Sequence, residues 1–134
     1  MDEIISLDYG SGGKKTARLI EKLILPRLDN PALRELGDGA IVDGGEKLVF
    51  STDSFVVSPL FFPGGDIGKL SVCGTVNDLS MCGAEPKYLS CSFIIEEGFP
   101  LSELERIGLI ERKKQGQGKP DRICVLQFCA KPDF

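Results

Sequence analysis

Three aspartates stand where glycine-rich turns or short strand-like runs end: Asp38 in Gly37-Asp38-Gly39-Ala40, Asp53 in Ser51-Thr52-Asp53-Ser54, and Asp78 in Val76-Asn77-Asp78. Carboxylates brought from separate element ends, with no imidazole or thiolate beside them, are the hard oxygen ligands that Mg²⁺ takes, usually together with a substrate polyphosphate. Asn77 can add a neutral oxygen or donate to a phosphate. Upstream, Tyr9-Gly10-Ser11-Gly12-Gly13-Lys14-Lys15-Thr16 is a glycine-rich loop running into a helix. Amides at the positive end of a helix dipole suit phosphate, which makes Gly12, Gly13 and Lys14 candidates for that contact. The spacing is not that of a P-loop. A single Asp more often caps a turn or a helix. Three of them beside a Gly-Gly-Lys loop favour a magnesium-nucleotide site.

The rest of the composition narrows the chemistry further. The 134 residues include no histidine, so triads, imidazole metal sites and the usual general base are excluded. Five cysteines, at 73, 82, 91, 124 and 129, form no C-x-x-C pair, as expected for reduced thiols of a cytoplasmic protein. Neither a signal peptide nor an apolar run of about 18 residues is present, so no membrane association is expected. The net charge of −4 argues against a nucleic-acid binder. Charge is unevenly spread, however: residues 1–107 hold 17 acids and 10 bases, residues 108–134 hold 3 acids and 6 bases. Two segments of different origin are expected, 1–107 as a domain and 108–134 as a divergent basic tail.

Several elements would position these groups. From Thr16 to Leu28 the residues Ala17, Leu19, Ile20, Leu23, Ile24 and Leu28 form one apolar face, so the spacing predicts an amphipathic helix that Pro26 ends or kinks. Ile4 to Leu7 reads as an edge strand. Ile41-Val42 and Lys47 to Thr52, joined by Asp43-Gly44-Gly45, read as a hairpin, and Tyr88 to Ile95 as a further strand. Phe55 to Phe62 is dense in apolar residues and reads as core or partner surface. Gly64 to Ala84 predicts a helix whose Gly68, Ser71 and Gly74 repeat every third residue. Each glycine there costs about 1 kcal/mol against alanine, which calls for a close neighbour. Ser102-x-x-Glu105 is a capping-box pattern opening a last helix. That helix either runs on to Lys114 or stops at Gly108, with Leu109 to Lys114 and Arg122 to Phe128 pairing as a basic hairpin; the explicit cap favours the helix.

The ordered run from Ser51 to Ile107, with GSGGKK and GDGAIV before it, resembles the N-terminal half of the HypE family of hydrogenase maturation proteins, within the aminoimidazole ribonucleotide (AIR) synthetase-like superfamily. The resemblance spans roughly residues 4 to 107. It implies an α/β (α+β) domain, a mixed or antiparallel sheet flanked by helices, that pairs with a second copy through a shared β-barrel. It implies ATP and Mg²⁺ as cofactors, with Asp38, Asp53 and Asp78 as metal-nucleotide aspartates, accompanied by Asn77 and by Gly12, Gly13 and Lys14 of the mobile loop. Phe61, Phe62 and Gly64-Gly65-Asp66 would lie near the nucleotide and dimer contact. The family reaction is the ATP-dependent dehydration of a protein-bound S-carboxamide to thiocyanate, the source of cyanide ligands for [NiFe] hydrogenase. Implied partners are a HypF-type carbamoyltransferase and HypC/HypD-type maturation proteins.

Departures from the family begin after Ile107. Its Gly-Asp-Thr-Lys segment, its second domain and its carrier cysteine have no counterpart, so no catalytic residue is assigned and the 134 residues alone are expected to be inactive. Asp121-Arg122-Ile123-Cys124 is similar to the family's terminal Pro-Arg-Ile-Cys, but lacks the proline and lies ten residues from the end. LIERKKQGQGKP is similar to the wing hairpin of plasmid replication initiators, which leaves a truncation, frameshift or fusion as expectations for 108–134. A dimerisation or nucleotide-binding fragment without turnover, and a nucleic-acid-binding fragment acting through the basic tail, are the alternative functional readings.

Overall fold

A computed structural model describes residues 3–107 and the course of the chain at 126–131. The core forms around the first predicted helix. Helical backbone is continuous from Lys14 to Leu28, as α1 (Lys14–Leu19), a π-helical turn (Ile20–Ile24) and α2 (Leu25–Leu28). The wide turn ends two residues before Pro26, which has no N–H to give the ladder; Leu25 N–H bonds Ile20 C=O, and the Arg27 guanidinium donates to Leu23 C=O at 2.9 Å. Leu19, Leu23 and Ile24 on the inner face are completely buried. Each such side chain contributes about 1.5–3 kcal/mol by leaving water.

The partner of that face is the far end of the described chain. Strand β3 (Cys91–Glu96) brings in Ile95, and α5 (Leu101–Arg106) brings in Leu101 and Leu104. The N-terminal segment locks this corner. Ile5 N–H donates to Phe99 C=O at 2.8 Å, Gly98 N–H to Ile5 C=O at 2.8 Å, and Leu101 N–H to Glu3 C=O at 3.0 Å. The edge strand expected at Ile4–Leu7 is therefore a single antiparallel bridge, Ile4 to Pro100. A 3₁₀ turn follows at Leu7–Gly10, with Tyr9 buried in the same core. Asn30 caps the short α3 (Pro31–Arg34): its Oδ1 accepts from Leu33 N–H at 3.0 Å while its Nδ2 donates to Leu28 C=O at 2.8 Å, so this buried amide is satisfied at both ends.

Helix α4 (Ile67–Met81) follows a small antiparallel pair, β1 (Phe61–Phe62) and β2 (Gly65–Asp66), closed by Pro63-Gly64. Gly64 takes φ +93°, a conformation glycine adopts without strain. Asp66 is the N-cap, its Oδ1 accepting from Lys69 N–H at 2.8 Å, and Lys69 Nζ donates back to Gly64 C=O at 2.7 Å. At the other end Gly83, with φ +73°, turns the chain and Ala84 N–H bonds Leu79 C=O at 3.0 Å. The Arg106 guanidinium sits 4.3 Å from the centre of the Phe61 ring and ties β1 to α5.

Three further sequence expectations are corrected. The hairpin at 41–52 is not a ladder in this chain: residues 39–57 carry no strand, and Ile41, Leu48 and Phe50 are 95%, 76% and 83% exposed. Their β-prone side chains have no pairing strand there, so the pattern has nothing to register against. Ser102 is not a cap; Pro100 holds the N-cap position of α5, so the helix begins one residue before the serine. That helix stops at Arg106, with Ile107 extended at ψ 123°, rather than running to Lys114. Leu109 to Lys114 lie outside the described residues, whereas 126–131 form β4 (Leu126–Lys131), parallel to β3.

Candidate functional site

Thr16 bridges two points of the glycine loop. Thr16 Oγ1 donates to Tyr9 C=O at 2.7 Å and accepts from Gly12 N–H at 3.1 Å, and Gly12 takes φ +74° to make that turn. Gly13, in extended backbone, is the N-cap of α1 and Lys14 its first residue. Gly12, Gly13 and Lys14 are all exposed. Lys15 leans the other way, its Nζ 5.6 Å from the Tyr9 ring centre and 3.4 Å from Asp8 Oδ2. Thr16 was not read as a site residue from sequence. Its position four residues after Gly12, where a hydroxyl can reach back one turn, was the available signal.

The aspartates lie on separate elements, all exposed to solvent. Asp38 is in the turn after α3. Asp53 lies in the extended stretch before Phe55, its Oδ1 accepting from Ser54 N–H at 2.7 Å. Asn77 and Asp78 sit on α4, in the turn before buried Leu79. Among the described residues, no three His, Cys, Asp or Glu side chains converge on a ready-made ion site. Mg²⁺ characteristically uses only one or two protein carboxylates and completes its shell with water and substrate phosphate; the hard oxygen donors here are of the type it takes, on elements that do not by themselves assemble a site. The sequence reading also passed over Asp66 and Lys69 as a pair that fixes the diglycine turn, and over Tyr88, whose hydroxyl donates to Asp43 C=O at 3.0 Å. That bond fastens the extended 39–57 segment to the approach to β3.

The small-residue face of α4 does have a close neighbour. A Cβ placed on Gly74 would lie 2.7 Å from Phe55 Cζ and 2.8 Å from Cε1, so the ring occupies the space that any larger residue would take. Phe55 follows Asp53 by two residues. The contact thereby anchors the segment carrying one candidate aspartate to the helix carrying another.

Residues 36–112 match the family model for AIR synthase related protein, N-terminal domain, and the chain belongs to that family. Within it, the chain is similar to HypE proteins. It is 53% identical over 105 residues to carbamoyl dehydratase HypE of Cupriavidus necator, covering 77% of this chain and 30% of that protein. The HypE of Escherichia coli strain K12 is 50% identical over 109 residues, with 77% of this chain and 32% of the relative covered. A crystal structure of hydrogenase maturation protein HypE in complex with ATP superposes with a TM-score of 0.84 at 48% identity, over 95% of this chain and 38% of that one. The chain spans about a third of the length of these curated relatives. The structural match extends over more of this chain than the sequence matches do.

Proposed function

We propose that this chain is the ATP-binding N-terminal part of a HypE-type maturation factor. The single observation that carries the reading is the superposition, at 48% identity, on a HypE whose crystal structure holds ATP. In this account Asp38, Asp53 and Asp78 receive Mg²⁺ with the nucleotide, Asn77 donates to a phosphate oxygen, and Gly12, Gly13 and Lys14 approach the phosphates once Thr16 releases Gly12 N–H. The bound ion would offset phosphate charge and polarise the transferred phosphoryl group. The family reaction, dehydration of a protein-bound S-carboxamide to thiocyanate for [NiFe] hydrogenase, is the activity to which that ATP would contribute. HypF-type and HypC/HypD-type proteins are its proposed partners.

A homodimer belongs to the same proposal. Ile41, Leu48, Phe50 and Val56 expose 76–98% of their surface, an arrangement that fits strands awaiting a second copy. No helix among the described residues is long and apolar enough to cross a membrane, and a cytoplasmic location remains part of the proposal. The test is displacement of a fluorescent ATP analogue by ATP, with and without Mg²⁺, alongside sedimentation velocity. Magnesium-dependent displacement and a dimer are expected; no displacement at millimolar ATP would overturn the nucleotide reading, and a concentration-independent monomer the dimer.

A further inference from the structure

Strand β4 (Leu126–Lys131) comes from sequence beyond the family match, which ends at residue 112, and from the part expected to be a divergent basic tail. It nevertheless pairs with β3 along its whole length, in parallel, from Cys91 opposite Leu126 to Glu96 opposite Lys131. The residue types agree with the register. Leu126, Phe128 and Ala130 stand opposite Cys91, Phe93 and Ile95, the half-buried and buried positions of β3. Gln127 and Lys131 stand opposite Ser92 and Glu96, which are exposed. Cys129 stands opposite the exposed Ile94. A one-residue slip would put Leu126, Phe128 and Ala130 opposite solvent-facing positions, so the alternation of these three favours this pairing. β4 also runs beside the Leu7–Gly10 turn that leads into the glycine loop. Among the described residues, β3 has no other strand neighbour.

Parallel strands need a crossover, and here α5, with Leu101 and Leu104 in the core, lies between them in the chain. We propose that residues 126–131 are a fold-completing strand: they close a β3–α5–β4 unit and brace the Leu7–Gly10 turn, so that the N-terminal core depends on the chain's own C-terminal segment. This goes beyond the nucleotide reading and does not depend on it. The competing role for the segment is a solvated basic tail.

Two variants of the full chain decide between them. Gln127→Pro/Phe128→Pro removes both successive strand N–H groups, one of which faces β3, while Lys113→Ala/Lys114→Ala alters tail charge without touching the strand. The proline variant is expected to lower Tm by about 10 °C or more, and to speed amide exchange at least about tenfold at Ile94–Glu96 and Tyr9. The lysine variant should melt like the parent chain. If the proline variant does not fold, the register is tested by charge reversal. Lys131→Glu, opposite Glu96, should lower Tm by a few degrees, and adding Glu96→Lys should restore it. Parental Tm and exchange in the proline variant, or no coupling between positions 96 and 131, would overturn the proposal.

Discussion

The Phe55 ring lies directly against Gly74, filling the space where a Cβ would be, 2.7 Å from its Cζ. This contact is why a poor helix former is tolerated in the middle of α4. Gly74→Ala would gain about 1 kcal/mol in helix propensity but incur an overpacking cost of about 1–3 kcal/mol against the ring. Net destabilisation is expected in the parent chain. With Phe55→Ala already in place, the same Gly74→Ala change should stabilise by up to about 1 kcal/mol. Denaturant unfolding of the four members of this cycle checks the reversal of sign; destabilisation of equal size in both backgrounds would refute the contact.

Leu104 on α5 is 1% exposed, and Leu23 in the π-helical turn is fully buried in the same cluster. Either residue changed to Ala should cost about 2–5 kcal/mol, measured by urea unfolding. Leu48→Ala, at a position 76% exposed in the single chain, should cost far less at micromolar concentration and more where the chain dimerises. A large concentration-independent loss from Leu48→Ala would contradict the exposure of the 39–57 segment.

Asp66 caps α4 and restrains the diglycine turn through Lys69. Asp66→Ala should destabilise by about 0.5–2 kcal/mol, and Asp66→Asn by less, because an amide oxygen can still accept from Lys69 N–H. Thermal melts of the two variants should rank in that order.

The carboxyl of Asp29 is held below its ordinary value of 3.8, chiefly by its hydrogen bond to the Arg34 guanidinium; desolvation opposes this in part, and the Arg34 charge adds a smaller push downward. Arg34 moves upward for the same reasons. A depressed carboxylate contributes stability that is present above its unfolded pKa of about 3.9 and is lost as pH falls through the lower folded value. Both groups are exposed, so the effect on melting should be small. Side-chain NMR titration of Asp29 reads it directly: Arg34→Ala should return the midpoint to the ordinary carboxylate range.

The helix from Lys14 to Leu28 was legible because its apolar stripe finds its partner, β3 and α5, within the same chain. The 41–52 hairpin had an equally clear β pattern and does not pair, because period and turn chemistry report which residues favour a strand and not whether a partner strand lies beside them. Ser102-x-x-Glu105 misled for a local reason: Pro100 already fixes the φ that starts α5, leaving the serine inside the first turn. The small-residue stripe of α4 announced a close neighbour, but not that it would be the Phe55 ring. At the site, residue type could be read from sequence. Where Asp38, Asp53 and Asp78 lie relative to one another could not, since they stand on separate elements and their spacing in the sequence does not set that placement.

Isothermal titration with MgATP on the parent chain, Asp53→Ala and Asp78→Ala, with Asp29→Ala, whose carboxylate is paired with Arg34, as a control outside the candidate set, tests the central claim most directly. The account predicts saturable binding by the parent and the control, and at least about tenfold weaker binding by each of the other two, a loss of at least about 1.4 kcal/mol. Equal binding by all four chains, or none by the parent, would contradict it.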